Sequence, residues 1–215
     1  MYSFLEYIFF RYELKYLVNL VFCSYFRKFN FKGEIKVVEK SKAQKIALSG
    51  VLIGIAVIFG TFSVPIGAAK ISPIQHFVNV VGAITLGPMY AVLNALAASI
   101  IRNVMGTGSL LAFPGSMVGA FLAGILYKKF RKPVIAVFGE VIGTGILGAL
   151  LAYPVAAVIL GKQVALFAYI VPFLMSCSAG SAIAYLFVKI PVIKKILINN
   201  EAVIDSHDSK KTNEI

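Results

Sequence analysis

Between Val64 and Gly119 the chain sets a few hydrogen-bonding side chains into an otherwise apolar sequence: Lys70, Gln75, His76, Asn79, Arg102 and Asn103. His76 offers a donor and an acceptor, Gln75 and Asn103 offer amides, and Lys70 and Arg102 offer cationic donors. Gln75, His76 and Asn79 are spaced three to four residues apart, so on a helix they share one face. Phe62, Phe77, Phe113 and Tyr169 lie in neighbouring segments and supply faces on which a flat ring stacks. This mixture suits a small heteroaromatic ligand with one or two polar substituents. Two plainer readings stay open beside it: Lys70 and Arg102 as cations that snorkel to a membrane surface, and His76 as a satisfied structural histidine.

Catalysis lacks its parts. His76 is the only histidine, and Glu140 the only acidic residue, in the apolar region from Ile46 to Val188, which removes a His-Glu-x-x-His zinc site and a paired-carboxylate site. No Gly-x-x-x-x-Gly-Lys-Ser/Thr loop grips a phosphate, so the chain does not hydrolyse ATP by itself. Ser116, with one distant histidine, is a weak basis for a nucleophile–base pair. The chain therefore reads as a binding protein, not an enzyme, with no metal and no cofactor.

These residues sit among elements built for lipid. Of the 215 residues 59% are hydrophobic and only 14% charged, against about 25% charged in a soluble domain. From Ile46 to Tyr127 there is no Asp or Glu, and polar groups at membrane depth are costly enough that they usually line a cavity or a substrate path. The net charge of +12 reads as topology-setting flanks, not as a nucleic-acid surface. Cys23 and Cys177 imply no disulfide framework.

Apolar runs occur at Ile46–Val64, Pro73–Arg102, Ala112–Tyr127, Val134–Leu160 and Val164–Val188, the last with Pro172 inside it. The second run is interrupted by Gly87-Pro88 and reads either as one kinked span or as two short helices. Charge decides between them. Residues 1–45, 128–132 and 189–215 hold all but three of the 21 Lys and Arg residues, the exceptions being Lys70, Arg102 and Lys162. If all three clusters are cytoplasmic, an even number of spans separates each pair, and splitting at Gly87-Pro88 gives that parity. The expectation is an all-α integral membrane bundle of six transmembrane helices with both termini cytoplasmic. The loops at 64–75, 102–113 and 160–163 then share the outer side, and the polar constellation gathers at an outer mouth.

Three domains follow: a basic, aromatic-rich extension over residues 1–42, the membrane domain over 43–190, and a polar cytoplasmic tail over 191–215. The extension reads either as an interfacial helix on the inner leaflet or as a spurious upstream segment. Small-residue pairs at Ala43/Ala47, Gly50/Gly54, Gly115/Gly119 and Gly139/Gly143 mark close helix packing. Glu140, well inside an apolar run, needs a partner or neutralisation at a cost of about 2.5–3.5 kcal/mol otherwise. It reads as a ligand contact, as a pair with Arg102, or as part of a structural polar pair.

The strings VPIGAAKISPIQHFVN and IRNVMGTGSLLAFPGSMVGA, with GEVIGTG further on, resemble the ThiW family over roughly residues 43–190. The family comprises substrate-binding (S) components of energy-coupling factor (ECF) transporters for the thiazole precursor of thiamine. The resemblance implies a multi-pass protein of the prokaryotic plasma membrane that takes hydroxyethylthiazole at its outer face. It also implies an ECF transmembrane coupling protein and two cytoplasmic ATPases as partners. Ala43 and Ala47 match the Ala-x-x-x-Ala pattern by which S components meet the coupling protein. A stand-alone secondary carrier for a small heteroaromatic solute, driven by protons through Glu140 or His76, is the alternative.

Overall fold

The first described helix is started by its own side chains. Ser41 Oγ accepts from the Gln44 N–H, and the Gln44 side chain accepts from the Ser41 N–H, a capping box that opens α1 (Lys42–Gly60). The computed structural model describes residues 41–66, 69–163, 165–191 and 193, so the extension over 1–40 and nearly all of the tail lie outside the described residues. After α1 come two short antiparallel strands that an all-helical reading did not foresee, β1 (Val64–Ile66) and β2 (Ala69–Ile71), with Val64 opposite Ile71 and Pro65 opposite Lys70.

Gly87 settles the ambiguous run. Its φ of 85° lies in the left-handed region open to glycine, and Pro88 follows directly, so the helix stops and another begins. The products are α2 (Pro73–Leu86) and α3 (Pro88–Val104). Next is α4 (Ala112–Phe130), which ends at Arg131 in left-handed conformation, with Lys128 and Lys129 in the last turn complementing the helix dipole. The fifth helix, α5 (Pro133–Ile159), is continuous but opens into π-helix at Gly143–Gly148 and Val155–Ile159. The sixth, α6 (Ile170–Lys189), starts later than the apolar run beginning at Val164 suggests. Residues 166–169 form turns instead, which leaves Pro172 in the first turn of the helix, where a missing N–H breaks no ladder.

Six helices thus appear among the described residues. By length and composition α1, α5 and α6 are long and apolar enough to cross a membrane, and α2 is apolar but shorter. The shortness of α2 has a physical reason. It contacts all five other helices and buries ten of its residues, among them Val78, Val80, Val81 and Ile84, so protein and not lipid surrounds it.

Glycine sets the close crossing of α4 on α5. A Cβ on Gly143 would lie 2.7 Å from Gly119 Cα, one on Gly139 would lie 2.9 Å from Ala123 Cα, and Gly148 backs directly on Gly115. The small residues of α4 and α5 therefore serve packing within the chain. Those of α1 do not: Ala43, Ala47 and Gly50 are exposed, and Gly50 and Gly54 have no atom within 4 Å of a Cβ built on them. Alternation of the helices places the ends of α1 and α3 and the starts of α2, α4 and α6 together, next to the β-ribbon. Lys42, Lys45, Lys128, Lys129, Lys132 and Lys189 flank the opposite helix ends.

Candidate ligand-binding site

At the end beside the ribbon the helices enclose a cavity of about 50 Å³. Its polar wall is Lys70 from β2, Ser72, Gln75 and His76 at the start of α2, and Arg102 at the end of α3. Residues Thr107 to Ser109, Gly115 and Ser116 of α4, Thr144 of α5, and Phe173 and Ser176 of α6 close it. One water needs about 10–15 Å³, so this partly open space holds a few waters as it stands.

The start of α2 is pinned to α6. Ser72 N–H donates to Ser176 Oγ at 3.0 Å, and Gly180 lies against the Pro73 carbonyl, where a Cβ would also sit 2.9 Å from His76 Cβ. This fixes His76 beside α5, where its Nδ1 lies 2.8 Å from Glu140 Oε1. The same oxygen accepts from Asn79 Nδ2 at 3.0 Å and from Thr144 Oγ1 at 3.0 Å, while Thr144 Oγ1 also lies 3.1 Å from the Gly115 carbonyl. Glu140 is 0% exposed, and its Oε2 has no hydrogen-bond partner. The partner that Glu140 needs is His76 and not Arg102, so the structural polar pair is the arrangement found.

Arg102 faces elsewhere. Its Nη2 donates to the Gly60 carbonyl at 2.8 Å, which caps the C-terminal end of α1, and its Nη1 donates to Gln75 Oε1 at 3.3 Å. Although Arg102 is 5% exposed and buried in the protein, its Nε donor has no partner. Gln75 Nε2 donates in turn to Asn79 Oδ1 at 3.4 Å. Arg102 is thus linked to Glu140 indirectly, by donors that all point the same way: Arg102 to Gln75, Gln75 to Asn79, Asn79 to Glu140.

Of the six residues singled out from the sequence, Lys70, Gln75, His76 and Arg102 line the cavity. Asn79 lies one turn deeper and supports them. Asn103 is not on the wall: its Nδ2 donates to the carbonyls of Ser99 at 2.8 Å and Ser109 at 3.4 Å, which ties the loop after α3 to its own helix. The expected stacking residues are also placed differently. Phe62 is exposed, Phe77 packs edge-on against Phe187 with ring centroids 5.4 Å apart, and Tyr169 is buried behind Phe173. Phe173 is the aromatic residue of the wall, and nothing in the sequence singled it out. Thr144 was legible in principle, because it stands four residues after Glu140 on the same helical face. Ser116 Oγ donates to the Ala112 carbonyl at 2.8 Å and activates nothing.

The cavity wall carries the polar side chains of Lys70, Gln75, His76 and Arg102, and among the described residues no group of His, Cys, Asp and Glu side chains could hold a metal ion. No individual curated protein matches the chain. A family model described as "Thiamine-precursor transporter protein (ThiW)" matches residues 46–194, and on that match the chain belongs to the ThiW family, a family of thiamine-precursor transporters and not of enzymes.

Proposed function

We propose that this protein is the substrate-capture component of an ECF-type transporter and takes hydroxyethylthiazole into the cavity between β2, α2, α3, α4 and α6. The observation that carries this reading is the wall itself: Lys70, Gln75, His76 and Arg102 converge with Phe173 at one end of a membrane-type bundle. A thiazole ring stacks on Phe173 while its nitrogen and hydroxyl take hydrogen bonds from the polar side. The opposite helix ends carry the lysines, which by charge bias is the cytoplasmic side, so all six helices cross the membrane and the cavity opens outward.

Delivery requires partners, because the chain has no nucleotide-binding loop. The stripe of exposed Ala43, Ala47 and Gly50, continued by half-buried Gly54, on α1 suits close approach of a helix of the transmembrane coupling protein, which two cytoplasmic ATPases drive. The cell membrane of a prokaryote is the setting this assembly implies.

The test is binding of hydroxyethylthiazole to the purified full-length protein in lipid nanodiscs without ATP. Saturable binding that falls about tenfold or more in His76→Ala is expected; no binding of any thiazole or thiamine precursor overturns the ligand assignment. The buried His76–Glu140 pair favours one second reading, a proton-driven carrier. Uptake into proteoliposomes containing this chain alone, driven by a proton gradient, would establish that reading in place of the first.

A further inference from the structure

Glu140 Oε1 is the point on which both polar walls of the cavity converge. It takes His76 Nδ1 directly at 2.8 Å and Asn79 Nδ2 at 3.0 Å, and Asn79 holds Gln75, which holds Arg102. A carboxylate accepts at several lone pairs and so can collect donors from separate elements. Here they come from α2 and from Thr144 on its own helix. Thr144 stands in the π-helical stretch Gly143–Gly148, a local widening of the helix of the kind often found at functional sites.

We propose that Glu140, which does not line the cavity, is the positioning residue of the ligand site: it anchors His76 through Nδ1 so that Nε2 is the ring nitrogen presented to the ligand, and through Asn79 it holds the Gln75 amide. This rests on the binding reading above and goes beyond it, because it assigns which imidazole atom meets the ligand and what holds it. With Nδ1 spent on Glu140, the imidazole has one nitrogen left for the cavity. On the arginine, Nη1 and Nη2 are spent on Gln75 and on the Gly60 carbonyl, and Nε lies against Gly60 of α1, a residue that is not on the cavity wall. His76 Nε2 fits a planar heteroaromatic ligand that offers it one hydrogen-bonding group, such as a ring nitrogen or a hydroxyl. A ligand without such a group leaves this nitrogen unsatisfied, and unsatisfied buried polar groups are costly enough to discriminate.

The experiment uses the full chain in nanodiscs, labelled with [15N]histidine. His76 and His207 are the only histidines, so His207→Gln assigns the His76 ring. In ligand-free protein the Nδ1 resonance is expected to carry the hydrogen-bond signature and to lose it in Glu140→Leu. Glu140→Gln keeps an acceptor oxygen and is expected to keep that signature. Hydroxyethylthiazole is expected to shift Nε2 and leave Nδ1 nearly unmoved. Its affinity is expected to fall about tenfold or more in Glu140→Leu and to stay within about threefold of the parent in Glu140→Gln.

If Glu140→Leu does not fold, Thr144→Val, which removes one of the three donors to Oε1, supplies the graded case with a smaller loss of affinity. An unchanged His76 Nδ1 signal in Glu140→Leu, or a ligand shift confined to Nδ1, overturns the proposal. Failure of the parent protein to bind hydroxyethylthiazole overturns the ligand reading, and the ligand-free spectra still decide the anchor.

Discussion

Two glycine pairs with the same spacing should respond oppositely to the same substitution. A Cβ on Gly119 would stand 2.6 Å from Glu140 Oε2 and 2.9 Å from its Cδ, and would collide with Thr144 Oγ1. Ordinary C···O contacts begin at about 3.3 Å, so the carboxylate must retreat by about 0.7 Å. Its contacts to His76, Asn79 and Thr144 now measure 2.8, 3.0 and 3.0 Å, and a shift of that size cannot keep all three within hydrogen-bond range. Overpacking costs about 1–3 kcal/mol and a weakened bond to a charged group about 1.5–3 kcal/mol, so Gly119→Ala should destabilise the protein by about 2.5–6 kcal/mol. Only part of that loss falls on the ligand site, and a tenfold drop in affinity corresponds to about 1.4 kcal/mol. Gly54→Ala adds a methyl inside α1 where no atom lies within 4 Å, so it should leave affinity unchanged and raise stability by up to about 1 kcal/mol through helix propensity. Thermal unfolding of both variants in nanodiscs, together with titration with hydroxyethylthiazole, makes the comparison. If Gly119→Ala matches the parent in both measurements, the carboxylate is not confined as described and the argument for its role fails.

Other substitutions separate wall from scaffold. Arg102→Ala should lower the unfolding temperature with or without ligand, because it strands the buried Gly60 carbonyl and the Gln75 amide at about 1–3 kcal/mol each. Lys70→Ala, on an exposed side chain, should leave thermal stability unchanged while weakening ligand binding several-fold, read by the same titration. Phe173→Leu should keep the fold but lower affinity for ring-containing ligands by about threefold to tenfold, as expected for loss of an aromatic contact of about 0.5–1.5 kcal/mol. Replacing Ala43 and Ala47 with leucine should abolish uptake in cells while leaving binding by the isolated chain intact; surviving uptake would put the coupling surface elsewhere.

The number of helices was legible because two independent constraints agreed: lysine-rich flanks demanded an even span count, and Gly87-Pro88 offered the only place to gain one. The late start of α6 was not legible, since Leu166 to Tyr169 are as apolar as a helix and only the turn geometry excludes them. The site divided in the same way. Gln75, His76 and Asn79 declared themselves by spacing on one helical face, and the face proved buried. Asn103 matched them in type, but its reach was taken by two carbonyls of its own helix and loop, a competition that residue type does not reveal. Phe173 was hidden because an aromatic residue in an apolar run carries no mark distinguishing a cavity wall from a lipid-facing surface. Exposed neighbours such as Phe167 and Val171 belong to the same run.

The depth of Glu140 is what the binding reading has to explain, and the proposed anchoring of His76 gives it a reason. A carboxylate buried in an apolar helix would be better replaced by a hydrophobic residue if stability alone were at stake. Here it is surrounded by donors from α2 and from its own helix, and it gathers them on one oxygen while the other has no partner. Gly119 opposite Glu140, and Gly115 opposite Thr144, leave the room that this arrangement occupies. Close packing of α4 on α5 and the burial of Glu140 are therefore one construction: the helices can approach only because the residues between them are small, and the space left by Gly119 admits the acid.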